Sequence, residues 1–180
     1  MNRIGINPLS RQANSSHRTD SVLHKGFVSV PHLTLSLSAG GPILDLAIGV
    51  SRPRSQALQK ANQPVPNPVR IRGLIDTGAS GTCVDPVCLA SLGLGPTGQV
   101  QIHTPSTGST PQLRNQYDVS IILIHPNLVL QIHEQPAIAS TLQTQGIQAL
   151  IGRDVLARCL FVYDGAMNLF MLAFWRCNSN

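Results

Sequence analysis

"GLIDTGASGTCVDP", residues 73–86, sets Leu74 and Ile75 ahead of a carboxylate and a run of small residues behind it. A strand that becomes apolar as it enters a core and then ends on Asp76 carries its charge to a place where a carboxylate is costly unless it is hydrogen-bonded or chemically used. Thr77 adds a hydroxyl that can tie neighbouring loops together. Gly78 leaves room for close backbone approach or a positive φ. The tripeptide alone is also a common Asx-turn that caps a strand. No second Asp-Thr-Gly or Asp-Ser-Gly occurs in the 180 residues.

The flanking sequence reads as β-rich. "VRIRGLID" (69–76) alternates up to Gly73, and "TCV" resumes the strand after the motif. Asp85 caps a helix whose first residue is Pro86, and Gly93 ends it. Upstream, "FVSVPHLTLSLS" (27–38) alternates from Leu33, "AGGP" turns the chain, and "ILDLAIGV" (43–50) alternates again, which predicts a hairpin. "SRPRSQALQKANQ" (51–63) predicts a short helix with Ser51 as N-cap, and "PVPNP" (64–68) is a stiff connector. Downstream, residues 99–124 read as two strands around a tip at Pro105–Pro111, and 127–135 as a further strand. Residues 147–174 read as an apolar strand, a short helix from about Arg153 to Arg158, and a hairpin turning at Asp164–Asn168. There is no internal repeat.

Composition narrows the class. Hydrophobic residues at 42% supply a core, while 13 Pro and 15 Gly spread along the chain fit many short segments between turns. Residues 1–75 hold nine Lys/Arg against Asp20 and Asp45, and residues 76–180 hold four against six acidic residues. The basic first half could face nucleic acid, but its charges are scattered and lack aromatic stacking partners, so it reads as a solvated tail. Residues 1–26, polar and without periodicity, read as a flexible basic arm, and 176–180 as a tail. Cys83 and Cys88 have four residues between them, which is no usual zinc spacing. His103, His125 and His133 fall on separate predicted strands and read as structural, so neither metal nor cofactor is expected. No signal-peptide core or membrane-length apolar run is present, and a soluble cytoplasmic chain with reduced thiols is expected.

A second motif changes the weight of the first. "ALIGRDVL" (149–156) sets an apolar strand, a Gly and an Arg-Asp pair before a short helix. Asp-Thr-Gly followed by this motif, with a small-residue hairpin tip between them, resembles the retropepsins, aspartic proteases of the retroviral type. "IHTPSTG" and "GRDVLARCL" resemble retropepsin-like aspartic proteases of bacteria. The resemblance covers about residues 27–175. It implies an all-β, closed barrel-like protomer with one or two short helices and an active site on the two-fold axis of a homodimer. It also implies an aspartic endopeptidase in which each copy contributes one Asp76, since aspartic proteases need two carboxylates and this chain carries one motif.

The resemblance further implies roles. Asp76, Thr77 and Gly78 would be catalytic, with Thr77 bonding across the dimer axis. Ala79 and Ser80 would floor the substrate cleft, and Thr104, Pro105, Ser106, Thr107 and Gly108 would form a flap over an extended peptide. Gly152, Arg153 and Asp154 would brace the catalytic loop from beneath. Ser80 and Gly81 stand where viral enzymes commonly have an acidic residue, which leaves Asp85, Asp154 or a carbonyl as the partner of Arg153. Cys83 reads as a core thiol, and Trp175 with strand 169–174 as core or dimer interface. The alternative is a non-catalytic dimeric module of the same fold that binds peptide without cutting it.

Overall fold

The computed structural model describes residues 30–102, 111–125 and 128–174. Expectations for the arm 1–26, the tip residues Thr104–Gly108, His103, Trp175 and the tail 176–180 lie outside them. The described elements are β1 (His32–Ser36), β2 (Ile43–Val50), α1 (Arg52–Lys60), β3 (Val69–Ile75), β4 (Cys83–Val84), α2 (Pro86–Ser91), β5 (Gly98–Ile102), β6 (Gln112–His125), β7 (Leu128–Ala139), β8 (Ala149–Ile151), α3 (Arg153–Leu156), β9 (Cys159–Asp164) and β10 (Leu169–Phe174), with one 3-10 turn at Gln143–Gln145.

Six strands close into a barrel in the order β2, β3, β8, β4, β7, β6, with β6 returning to pair with β2. The long β6 makes this closure possible. Its first residues, Gln112–Gln116, pair with β5, and Val119–Leu123 pair with β2. Closure pairs both edges of β2, with β3 on one side and β6 on the other, and Leu46 to Val50 are all buried. Leu46, Ile48, Ile71, Ile75, Val119 and Ile121 fill the interior.

The structure corrects the first hairpin. A turn does form, with Ser38 bridged to Gly41. However, β1 leaves β2 and pairs with β10, placing Leu33 opposite Leu172 and Leu35 opposite Phe170. Together β1, β10 and β9 make a second, three-stranded sheet. Its buried Leu33, Phe170, Leu172 and Phe174 join the barrel core. The apolar face of β1 is satisfied there, and β2 spends its edges on β3 and β6. Ser51 occupies the N-cap position of α1, but its hydroxyl makes no cap bond. Among the described residues no helix is long and apolar enough to cross a membrane.

The site depends on one parallel pairing. β3 and β8 run side by side, Gly73 opposite Ala149 and Ile75 opposite Ile151. Both strands therefore end at the same rim of the barrel. There Asp76 follows β3 and Gly152 follows β8. The Asp76 N–H donates to the Ile151 carbonyl at 3.0 Å and continues the ladder one step past the strand.

Candidate functional site

Residues 76–82 turn from β3 to β4 at this rim. Asp76 is half-buried and its Oδ1 faces back into its own loop, accepting from the Gly78 N–H at 2.8 Å and the Ala79 N–H at 3.3 Å. This is an Asx-type turn. It holds the Oδ1 side of the carboxylate in place. Thr77, Gly78 and Ser80 are exposed, while Ala79 is half-buried.

Arg153 begins α3 directly beneath. Its Nη1 donates to the Thr77 carbonyl at 2.9 Å and the Gly78 carbonyl at 3.2 Å, and its backbone N–H donates to the Ala79 carbonyl at 3.0 Å. Of the three partners that the sequence left open, the carbonyls are the ones it takes. Asp85 and Asp154 are occupied elsewhere. A guanidinium on two successive carbonyls holds the main chain on either side of Gly78 at a fixed height.

Asp154 gathers the next layer. Its Oδ2 accepts from the Thr82 N–H at 2.9 Å and from Gln135 Nε2 at 2.7 Å. Its Oδ1 accepts from the Thr82 hydroxyl at 2.8 Å and from the Val155 N–H at 2.9 Å. The same Thr82 hydroxyl accepts from the Gly152 N–H at 3.2 Å. Gly152 lies against the Gly81 main chain so closely that a Cβ there would sit 2.6 Å from the Gly81 carbonyl carbon and oxygen. Only glycine permits that approach.

Asp85 ties the far end of the loop. It caps α2 through the Val87 N–H at 3.0 Å, and its second oxygen accepts from the Leu142 and Gln143 N–H groups at 2.9 and 3.3 Å. The capping role was readable from Asp85-Pro86. The reach to residues 142 and 143 had no local signal.

Thr82 and Gln135 were not anticipated. Thr82 offered only a small hydroxyl residue after the motif. Gln135 is buried because β7 carries a bulge: Val119 faces Gln135 while Ile121 faces Ile132, so two steps on β6 match three on β7. The extra residue reverses the alternation and turns Gln135 inward. Its Oε1 is buried with no partner among the described residues.

Cys83 is half-buried on β4. Burial pushes its thiol up from the ordinary value, and the carboxylates of Asp154 and Asp76 add to the effect. These effects favour its thiol over its thiolate. The described residues hold no cluster of three or more His, Cys, Asp or Glu side chains arranged for a metal.

No family model matches the sequence, and no curated protein matches it. The structure does find counterparts. A retropepsin-like aspartic protease from Rickettsia conorii superposes with a TM-score of 0.51, covering 81% of this chain and 92% of that one. The fold is retropepsin-like. Identity over the match is 17%, so the likeness is one of architecture and carries no statement about a bacterial source. The retroviral protease-like domain of Ddi1 from Leishmania major also matches, at 12% identity and a TM-score of 0.37 over 77% of this chain and 98% of that domain. That second likeness is too distant to argue from. In this retropepsin-like protomer the Asp76 loop, α3 and the Gln135 segment of β7 form one connected polar assembly at a single rim.

Proposed function

We propose that the chain is an aspartic endopeptidase that works as a homodimer, with Asp76 from each copy forming the catalytic dyad. One observation carries the reading. A retropepsin-like fold presents one Asp-Thr-Gly carboxylate, with Oδ1 locked by two N–H groups and the surrounding main chain clamped by Arg153. A two-fold axis next to Asp76 would supply the second carboxylate from an identical loop.

In this mechanism two carboxyls about 3 Å apart share one proton, since both cannot ionise cheaply. The ionised member takes a proton from a bound water, and the protonated member donates to the scissile carbonyl. Water attacks the peptide directly, with no covalent intermediate. The pair titrates as a unit. Thr77 bonds across the axis, and the Gly78 backbone meets the substrate. Ala79 and Ser80 line the cleft floor, and Thr104, Pro105, Ser106, Thr107 and Gly108 close over an extended peptide through main-chain bonds. Gly152, Arg153 and Asp154 act as the brace. The exposed Leu160, Val162, Tyr163 and Met167 gather on the β9–β10 hairpin, which gives a second copy an apolar surface to cover.

The deciding experiment compares the chain with Asp76→Asn on a peptide library between pH 4 and 6.5, with sedimentation at the same concentrations. Cleavage that falls at least about a hundredfold in the variant, and whose rate per chain falls on dilution to monomer, supports the proposal. Unchanged cleavage in Asp76→Asn, or full activity as a monomer, sinks it. Saturable peptide binding with no cleavage in either protein would point to the peptide-binding module instead.

A further inference from the structure

The segment between β2 and β3 is longer than a hairpin needs, and nothing in the proposed chemistry uses it. It folds as α1 and a proline-rich connector at the barrel end opposite Asp76. The seven residues of β3 separate the two ends by about 23 Å, at ~3.3 Å per residue. α1 gives the core a single buried side chain, Leu58.

The polar face of α1 instead walls a cleft of about 330 Å³. Arg52, Ser55, Gln56 and Gln59 follow one another at helical spacing along that wall. Across from them stand Gln131 and His133 of β7, and Pro66 and Pro68 of the connector close the rim. The floor is formed where Gly49 meets Ser120. A Cβ on Gly49 would lie 2.8 Å from the Ser120 hydroxyl, so the absent side chain sets the depth. His133 is exposed on β7, two residues before the buried Gln135.

The chemistry of this lining is one-sided. It holds a permanent guanidinium, an imidazole, three amides and two hydroxyls, and among the described residues that line it there is no carboxylate. Glu134, adjacent in sequence, is not in the lining. A planar guanidinium presents paired N–H groups that match the oxygens of a carboxylate or phosphate, and neutral amides and hydroxyls complete such an anion's hydrogen bonds. The volume is at the small end of ligand pockets, roughly 300–1,000 Å³. We propose that this cleft binds a small anion, a carboxylate- or phosphate-bearing molecule, through Arg52 and the facing polar side chains, at a site independent of Asp76.

The test uses the full chain labelled with ¹⁵N and titrated by NMR with sodium phosphate, sodium succinate, and sodium chloride at matched ionic strength. The expected result is saturable movement of the Ser55, Gln56, Gln59 and His133 amides with phosphate or succinate but not chloride. The anion that binds assigns the class. In Arg52→Ala the dissociation constant should rise about tenfold or more, with His133→Gln weakening binding less. Asp76→Asn should bind as the parent does, so failure of the cleavage reading would leave this one standing. Movement that does not saturate, that chloride reproduces, or that keeps its affinity in both cleft variants would overturn the proposal.

Discussion

Removing the Asp154 carboxylate tests the polar assembly at its centre. In Asp154→Ala four donors lose their acceptor, but two retain another. The Val155 N–H still meets the Gly152 carbonyl at 3.2 Å, and Gln135 Nε2 still meets the Pro136 carbonyl at 3.1 Å. Thr82 has no such recourse among the described residues. Its N–H and its hydroxyl both point at Asp154, and the residue is fully buried. Each buried donor left unsatisfied costs about 1–3 kcal/mol, and the space left by the carboxylate adds to this, so a loss of about 3–5 kcal/mol is expected. At ~2–4 °C per kcal/mol for a chain of this size, the melting temperature should fall by about 6–20 °C. Asp154→Asn should be far milder. Its oxygen can take the Oδ2 position, facing the Thr82 N–H and Gln135, while its amide donates to the Thr82 hydroxyl oxygen. That leaves the hydroxyl proton to find a new acceptor and returns the Val155 N–H to the Gly152 carbonyl alone, at a cost of about 1–2 kcal/mol. The assay is urea and thermal unfolding followed by circular dichroism, at one chain concentration because association would shift the midpoint. A loss below about 1 kcal/mol in the alanine variant, or equal losses in both, would refute the reasoning.

Gly152→Ala should destabilise by about 1–3 kcal/mol and slow peptide cleavage in the folded fraction, measured as kcat beside a melt. Its φ of −85° suits alanine, so any effect comes from contact with the Gly81 main chain. Asp85→Ala removes the acceptor for the Val87, Leu142 and Gln143 N–H groups and should cost about 2–4 kcal/mol. Hydrogen exchange at Leu142 should accelerate ahead of exchange in β2. Burial pushes the Cys159 thiol up to about 12 against the lowering pull of Arg158, so alkylation at pH 8 should run on the order of a thousandfold slower than for a free thiol. The same shift keeps the thiol neutral in the folded state. Its stability contribution is therefore complete below the unfolded value near 8.5 and declines as pH rises towards 12, which unfolding titrations in that range would reveal.

What was legible in the sequence follows the range of the interaction that encodes it. In "VRIRGLI", alternation up to Gly73 separates Arg70 and Arg72 from Ile71 and Gly73, and the structure exposes the two arginines and buries Ile71, Gly73 and Ile75. Asp85 before Pro86 announced a helix cap because the capping bond spans two residues. The partner of β1 was not legible, since a turn that can close a hairpin does not say whether the next strand prefers another edge. Gln135 was hidden for a sharper reason. A period of two carried forward from Ile132 puts Glu134 on the inside, and only the β7 bulge, set by pairing with β6, reverses it.

The assembly at the rim is non-local in the same sense. Thr82 and Asp154 are 72 positions apart, as are no two residues that a local pattern can join. They meet because β3 and β8 run parallel and end together, which makes the residues after each strand neighbours. Asp154 then holds Thr82, Thr82 holds Gly152, and Arg153 holds the main chain of Thr77 and Gly78. Asp76 is thereby oriented by its own chain before any second copy arrives. In the proposed mechanism the partner adds its carboxylate and its Thr77 contact across the axis, while each subunit already carries the Arg153 and Asp154 framework beneath its own loop. Dimer-weakening substitutions on the β9–β10 hairpin, such as Val162→Asp, should lower activity per chain at micromolar concentration and restore it on concentrating the protein. Damage to the Asp154 assembly should persist at every concentration, and a concentration rescue of Asp154→Ala would place the orienting force in the partner instead.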